Sequence, residues 1–79
     1  MRVRFLARLR EIAGKETEEV RLPADARVMD VYAAMRQAAP SLPPQGSVRA
    51  AVNHEFVDWN AGIADGDEVA FIPPVSGGA

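Results

Sequence analysis

Apolar and polar positions alternate at the start of this chain. Across residues 2–7, Val3, Phe5 and Ala7 fall on one side and Arg2, Arg4 and Leu6 on the other. That period of two predicts a half-buried strand. From Ala7 to Ala13 the spacing changes, with Leu9, Ile12 and Ala13 on one side of a short helix. Gly14 stops it, as glycine does at a helix C-terminus. Thr17 to Leu22 reads as a second strand, ended by Pro23, which lacks the amide a ladder requires. The longest helical signal runs from Val28 to Ala39, where Val28, Val31, Tyr32, Met35 and Ala39 make one apolar stripe. Arg27 is a poor N-cap, and Asp30 compensates from the first turn, where a carboxylate meets the positive helix end. Pro40 closes this helix, and Ser41 to Ser47 forms a loop.

The second half carries shorter signals. Val48 to Asn53 predicts a third strand, and Asn53-His54-Glu55 a tight turn into a short fourth strand, Phe56-Val57. Asn60 to Ala64 suits one helical turn. Asp65-Gly66 is a turn signal, and Asp67 to Ile72 completes the strands. The order β-α-β-α-β-β-β predicts an α+β domain, a mixed five-stranded sheet packed on one main helix plus a short helix.

Composition narrows the chemistry. Seventy-nine residues make one small domain, burying only about 60–65% of its unfolded surface. No apolar run approaches the roughly 20 residues needed to span a bilayer, and the charged start of the chain does not resemble a signal peptide. The expectation is a cytoplasmic protein with no membrane partner. The sequence contains no cysteine, which excludes disulfides and thiolate catalysis, and His54 is the only histidine, which excludes a histidine-rich metal site. A net charge of −2 argues against a general nucleic-acid binder. Arg2, Arg4, Arg8 and Arg10 nevertheless crowd one end. They form either a solvated mixed-charge surface or a patch that steers a partner.

Candidates for an ordinary active site are weak. His54, Glu55, Asp58 and Trp59 lie close together in sequence, but turn chemistry explains the first of them more simply and Trp59 suits an anchor at the edge of the core. Ser76 has no plausible base beside it, and a serine without a positioned base is inert. Gly77-Gly78 is followed by neither lysine nor helix, so it is no phosphate loop.

The C-terminal segment remains. Pro73-Pro74 holds the exit extended, because proline fixes φ. Gly77 and Gly78 then reduce the chain to its minimum width. The reading divides the chain into a domain over residues 1–72 and an extended, flexible tail over 73–79. Such a tail suits a narrow slot on another protein, with the terminal carboxylate as the reacting group. A frayed, inert terminus has the same composition.

The run Asp65-Gly66-Asp67-Glu68-Val69-Ala70-Phe71-Ile72-Pro73-Pro74-Val75-Ser76-Gly77-Gly78 resembles the C-terminus of the small subunit of molybdopterin synthase. Ala51-Val52-Asn53 matches that family's upstream turn segment, and Phe5-Leu6-Ala7-Arg8-Leu9-Arg10-Glu11 with Gly14 resembles its opening. The resemblance spans essentially the whole chain and implies the ubiquitin-like β-grasp fold. It also implies a sulfur carrier. In such proteins an ATP-dependent, E1-like activating enzyme adenylates the terminal glycine, and sulfur from a donor protein then yields a thiocarboxylate. The tail enters the large synthase subunit and gives its sulfur to the cyclic pterin precursor, building the dithiolene of molybdopterin. The resemblance implies a heterotetramer of two small and two large subunits. It places the reacting carbon on Gly78, with Gly77 giving clearance and the catalytic side chains on the partner. It implies no cofactor bound to this chain, the ATP being consumed by the activating enzyme.

The family pattern ends at the second glycine, whereas Ala79 follows here. While Ala79 is attached, Gly78 has no free carboxylate. Ala79 is either trimmed, an added residue, itself the activated residue, or a sign that carrier activity is lost. Rival readings are a thiamine-type sulfur carrier, a ubiquitin-like protein modifier, and an interaction domain with an inert tail.

If the first and last strands pair as in β-grasp proteins, alternation sends Val3, Phe5, Val69 and Phe71 to the core. Leu6, Ala70 and Ile72 then lie on the outer face. With Pro73, Pro74, Val75 and Ser76 they form an apolar surface leading into the tail, and such surfaces mark docking sites. The large synthase subunit and the activating enzyme are expected to dock there in turn.

Overall fold

In the computed structural model, residues 1–73 are described. The elements are β1 (Arg2–Phe5), α1 (Arg8–Ala13), β2 (Thr17–Glu19), α2 (Val28–Ala38), a single 3-10 turn (Gln45–Ser47), β3 (Arg49–Val52), β4 (Glu55–Val57) and β5 (Glu68–Ile72). The sheet order is β2-β1-β5-β3-β4. β1 runs parallel to β5, and the other three pairings are antiparallel. This is the α+β, mixed five-stranded β-grasp arrangement that the pattern and the resemblance implied.

The first strand is shorter than its alternation suggests. It ends at Phe5, and Leu6 adds one more bond to β5 through its amide and the Phe71 carbonyl, at 3.2 Å. Ala7 then takes φ 53° and ψ −127°. With the Leu9 amide donating to the Leu6 carbonyl at 3.0 Å, Leu6 to Leu9 form a tight turn that swings the chain from sheet to helix. Ala7 is therefore exposed rather than facing the core. Its backbone region is one that glycine adopts readily and alanine does not. Gly14, at φ 79°, ends α1 as expected. β2 stops at Glu19, three residues short of the predicted end.

The α2 stripe is the centre of the core. Val28, Val31, Tyr32 and Met35 are all buried, against Val3 and Phe5 from β1 and Val69 and Phe71 from β5. The Arg27 amide donates to the Asp30 carboxylate at 2.8 Å, so Asp30 offsets the poor cap through a hydrogen bond as well as its charge. The amides of Val28 and Met29 donate to the carbonyls of Ala61 and Trp59. That answers why Asn60 to Ala64 does not form the expected helical turn. The Trp59 and Ala61 carbonyls satisfy open N–H groups of α2, and Gly62 bridges to Arg27.

An aromatic cluster closes the inner face. The Tyr32 and Phe71 rings lie 4.8 Å apart, and Trp59 stacks on Phe71 at 5.9 Å with the planes 10° apart. Trp59 is half-buried, the edge-of-core anchor read from the sequence. The Tyr32 hydroxyl donates to the Pro43 carbonyl at 2.6 Å, which ties the 41–47 loop to the helix and satisfies the polar tip of a buried ring. Burial pushes the Tyr32 hydroxyl above its ordinary pKa, a shift that the Arg36 cation partly offsets.

Candidate functional site

β5 decides what lies on each side of the sheet. Its register sets Val69 beside Val3 and Phe71 beside Phe5, all four buried against α2. The intervening residues, Ala70 and Ile72, point to the face that α2 does not cover. Ala70 pairs with Arg4 on one side and Ala51 on the other, and Ile72 pairs with Arg49. Ala51 in turn pairs with Phe56 in β4. The outer face thus carries a row of Arg4, Ala70, Ala51 and Phe56, with Ile72 next to it.

The sequence-predicted docking residues fall as follows. Ala70 and Ile72 lie on this outer face and are half-buried. Leu6, also half-buried, continues the β1 alternation beside Ile72. Pro73 follows β5 directly, at the rim of a groove of about 550 Å³ on the other side of the exit. Ala7, Arg8, Leu9, Ile12, Ser41 and Pro43 make up most of the groove wall. Pro74, Val75, Ser76, Gly77, Gly78 and Ala79 lie outside the described residues.

Phe56 is the member of this face that sequence reasoning missed. At 58% exposure it is the one large hydrophobic side chain exposed among the described residues. The Arg49 guanidinium carbon lies 4.0 Å from its ring centroid, a cation–π contact. A signal for Phe56 was available. Asn53 and His54 both have positive φ, 51° and 74°, and form a two-residue hairpin turn. Such a turn sets Val52 opposite Glu55 and Ala51 opposite Phe56, as found.

That hairpin is pinned to the start of β5. The Asn53 side chain accepts from the Glu68 amide at 3.0 Å and donates to the Asp67 carboxylate at 3.0 Å. Asp67 also accepts from the Ala64 amide at 2.8 Å. The Ala64 and Asn53 hydrogen bonds, in that order of effect, hold the Asp67 carboxyl below its usual range. Asn53 therefore keeps Phe56 and Ala70 on one rigid surface.

The His54, Glu55, Asp58 and Trp59 group does not come together as a site. The first three are exposed, while Trp59 turns inward onto Phe71. Among the described residues no cluster of three or more His, Cys, Asp or Glu side chains is placed to hold a metal. No helix there is long and apolar enough to cross a membrane. Among the described residues, the feature left is an outer sheet face on which Ala70, Ile72 and Phe56 lie outside the α2 core.

Comparison with known proteins gives this face a context. A sequence model described as the ThiS family matches residues 3–78. The molybdopterin synthase sulfur carrier subunit of Escherichia coli is 36% identical over 80 residues, covering 99% of each chain. Its counterpart in Chlamydomonas reinhardtii is 38% identical over 82 residues, covering 99% of this chain and 98% of the relative. Among solved structures, the small archaeal modifier protein 1 of Haloferax volcanii superimposes with a TM-score of 0.83 at 30% identity, covering 94% of this chain and 95% of that one.

Proposed function

The chain belongs to the ThiS family, and from that premise we propose that it is the sulfur-carrying small subunit of a molybdopterin synthase, reacting through the acyl carbon of Gly78. Its named relatives are sulfur carrier subunits matched over nearly their full length. The observation that carries the reading is the geometry at the end of β5. An apolar face that α2 leaves open runs along Ala70 and Ile72 to Pro73, and the Gly77-Gly78 pair begins four residues further along the sequence.

The chemistry follows from the needs of a carboxylate, which is a poor electrophile. An activating enzyme joins the Gly78 carboxylate to the α-phosphorus of ATP, releasing pyrophosphate. Sulfide-level sulfur (HS⁻) then displaces AMP and gives up its proton to solvent, leaving a thiocarboxylate. The large subunit brings this sulfur to the pterin precursor, and water returns the carboxylate. The chain itself contributes no acid or base. It contributes binding surface and orientation, the terms that make a bimolecular encounter effectively intramolecular. Ile72, Ala70, Leu6 and Pro73 contact the partner, and Pro74, Val75 and Ser76 extend that contact toward its slot. Ala79 is removed before activation.

A protein modifier is the second reading, favoured by the likeness to the archaeal modifier protein. Mass spectrometry of the chain isolated from its own cells separates the two. A carrier has lost Ala79 and gained the mass of sulfur in exchange for oxygen. A modifier appears as an isopeptide adduct on lysines of other proteins. Full synthase activity with an uncleavable extension beyond Gly78 overturns both readings.

A further inference from the structure

Two guanidinium groups stand on either side of the point where β5 ends. Arg49 pairs across the strands with Ile72, and its guanidinium carbon sits 4.0 Å from the Phe56 ring centroid. Arg8, the first residue of α1, shares the wall of the opposite groove with Pro73. Both are exposed. The arginines around them are occupied: Arg4 pairs with Glu68 at 3.2 Å and Glu16 at 3.7 Å, Arg10 pairs with Glu16 at 3.9 Å, and Arg36 donates to the Leu42 carbonyl. Among the described residues, neither Arg8 nor Arg49 has a carboxylate within ion-pair distance.

A guanidinium held over an aromatic ring can keep N–H groups available. Those groups suit a carboxylate, which they grip with two parallel hydrogen bonds. The contact with the ring restrains the Arg49 side chain, so less rotamer freedom is lost on binding. Arg49 is thus a pre-oriented cation at the border of an apolar face. Arg8 supplies a second cation across the exit. The chain as a whole carries a net charge of −2, so these two positions are local exceptions to its overall sign.

We propose that Arg49 and Arg8 form a two-point clamp for carboxylates at the mouth of the partner's tail-binding slot, and that the partner's docking surface is apolar with an acidic rim. This rests on the reading of the outer face as the site where the large synthase subunit docks. The clamp acts on register more than on area. Two charge contacts on opposite sides of one strand end fix rotation about that strand, so the tail meets the slot in one orientation. Charge pairs at an interface rim set orientation and encounter rate in this way.

The test is binding of the full chain to its own large subunit, measured at low and at high salt. Arg49→Glu and Arg8→Glu each weaken binding about 10-fold at low salt, with a slower association rate, and the difference shrinks at high salt. Arg49→Lys keeps the charge but not the fork, and weakens binding about 3-fold. Ile72→Asp is the control, since it weakens binding at either salt. All three positions are at the surface or its edge, so circular dichroism verifies an unchanged fold. If both Arg→Glu variants bind like the parent while Ile72→Asp does not, the docking face stands and the clamp is wrong. If Ile72→Asp also binds like the parent, the docking face itself is misplaced, and the clamp falls with it.

Discussion

Phe71 and Ile72 are neighbours in sequence and lie on opposite sides of one sheet. Phe71 is fully buried and touches Phe5, Tyr32 and Trp59. Ile72 is half-buried on a face that α2 does not cover. The inner face is closed by one helix and one aromatic cluster. The outer face interleaves apolar residues with arginines and has no cover within the described residues. The contrast teaches that one five-residue strand divides its residues by parity, odd positions in the core and even positions on the face that α2 leaves open.

The largest effect that tests this division is on the inner face. Phe71→Ala removes a ring at the centre of the core and is expected to cost about 3–5 kcal/mol. For a small domain that approaches the whole stability, so thermal denaturation should show a mostly unfolded chain. A melting temperature lowered by only a degree or two would mean that the cluster is not the core. Next in size is the outer face. Ile72→Asp should leave the melting temperature nearly unchanged and weaken binding to the large subunit about 10- to 100-fold, the equivalent of losing about 1.5–3 kcal/mol of burial. Phe56→Ala should follow the same pattern about 10-fold more weakly than the parent. An outer-face variant that unfolds the domain would erase the distinction.

Smaller effects come from the turns that hold the two faces in place. Ala7→Gly relieves a backbone conformation costly for a side chain and should stabilise the domain by about 1 kcal/mol in chemical denaturation. A loss of stability would show that the turn at residue 7 is not under strain. The smallest effect concerns Asp67. Its native pKa is depressed, so its contribution is present above the unfolded-chain pKa and is lost as pH falls through the native value. Asn53→Ala removes one of the two hydrogen bonds responsible. An NMR titration should find the Asp67 carboxyl moved upward toward its ordinary range, with acid unfolding beginning at slightly higher pH.

The parity of β5 was legible because long alternation leaves little choice. Val3 and Phe5 with Val69 and Phe71 are separated by polar or small residues, and the α2 stripe matches them. Ala70, Ile72 and Leu6 followed from the same counting. Phe56 was not legible from its own strand, since three residues are too few to fix a face. Its side is set by the register that the Asn53-His54 turn imposes across β3. The segment from Asn60 to Ala64 was misread for a similar reason. Local preference favours a helical turn there, but the carbonyls of Trp59 and Ala61 serve amides some thirty residues earlier in the chain. Ala7 was misread because alternation carries no information about where a strand bends. Of the tail, the sequence offered chemistry through Gly77 and Gly78, with Ala79 as its one discordant residue.

The sheet order has a consequence for how the molecule comes into being. β1 with β2 and β3 with β4 are each built from contacts close in sequence, but nothing joins the two hairpins until β5 slides between them. A nascent chain therefore waits for its closing strand before it has a core, and such long-range closure is slow relative to local hairpin formation. A polypeptide that breaks off before Glu68 loses the open face of β5 and the continuity of its sheet together. Fragments of this carrier should be cleared by proteases rather than compete with intact copies for the same partner.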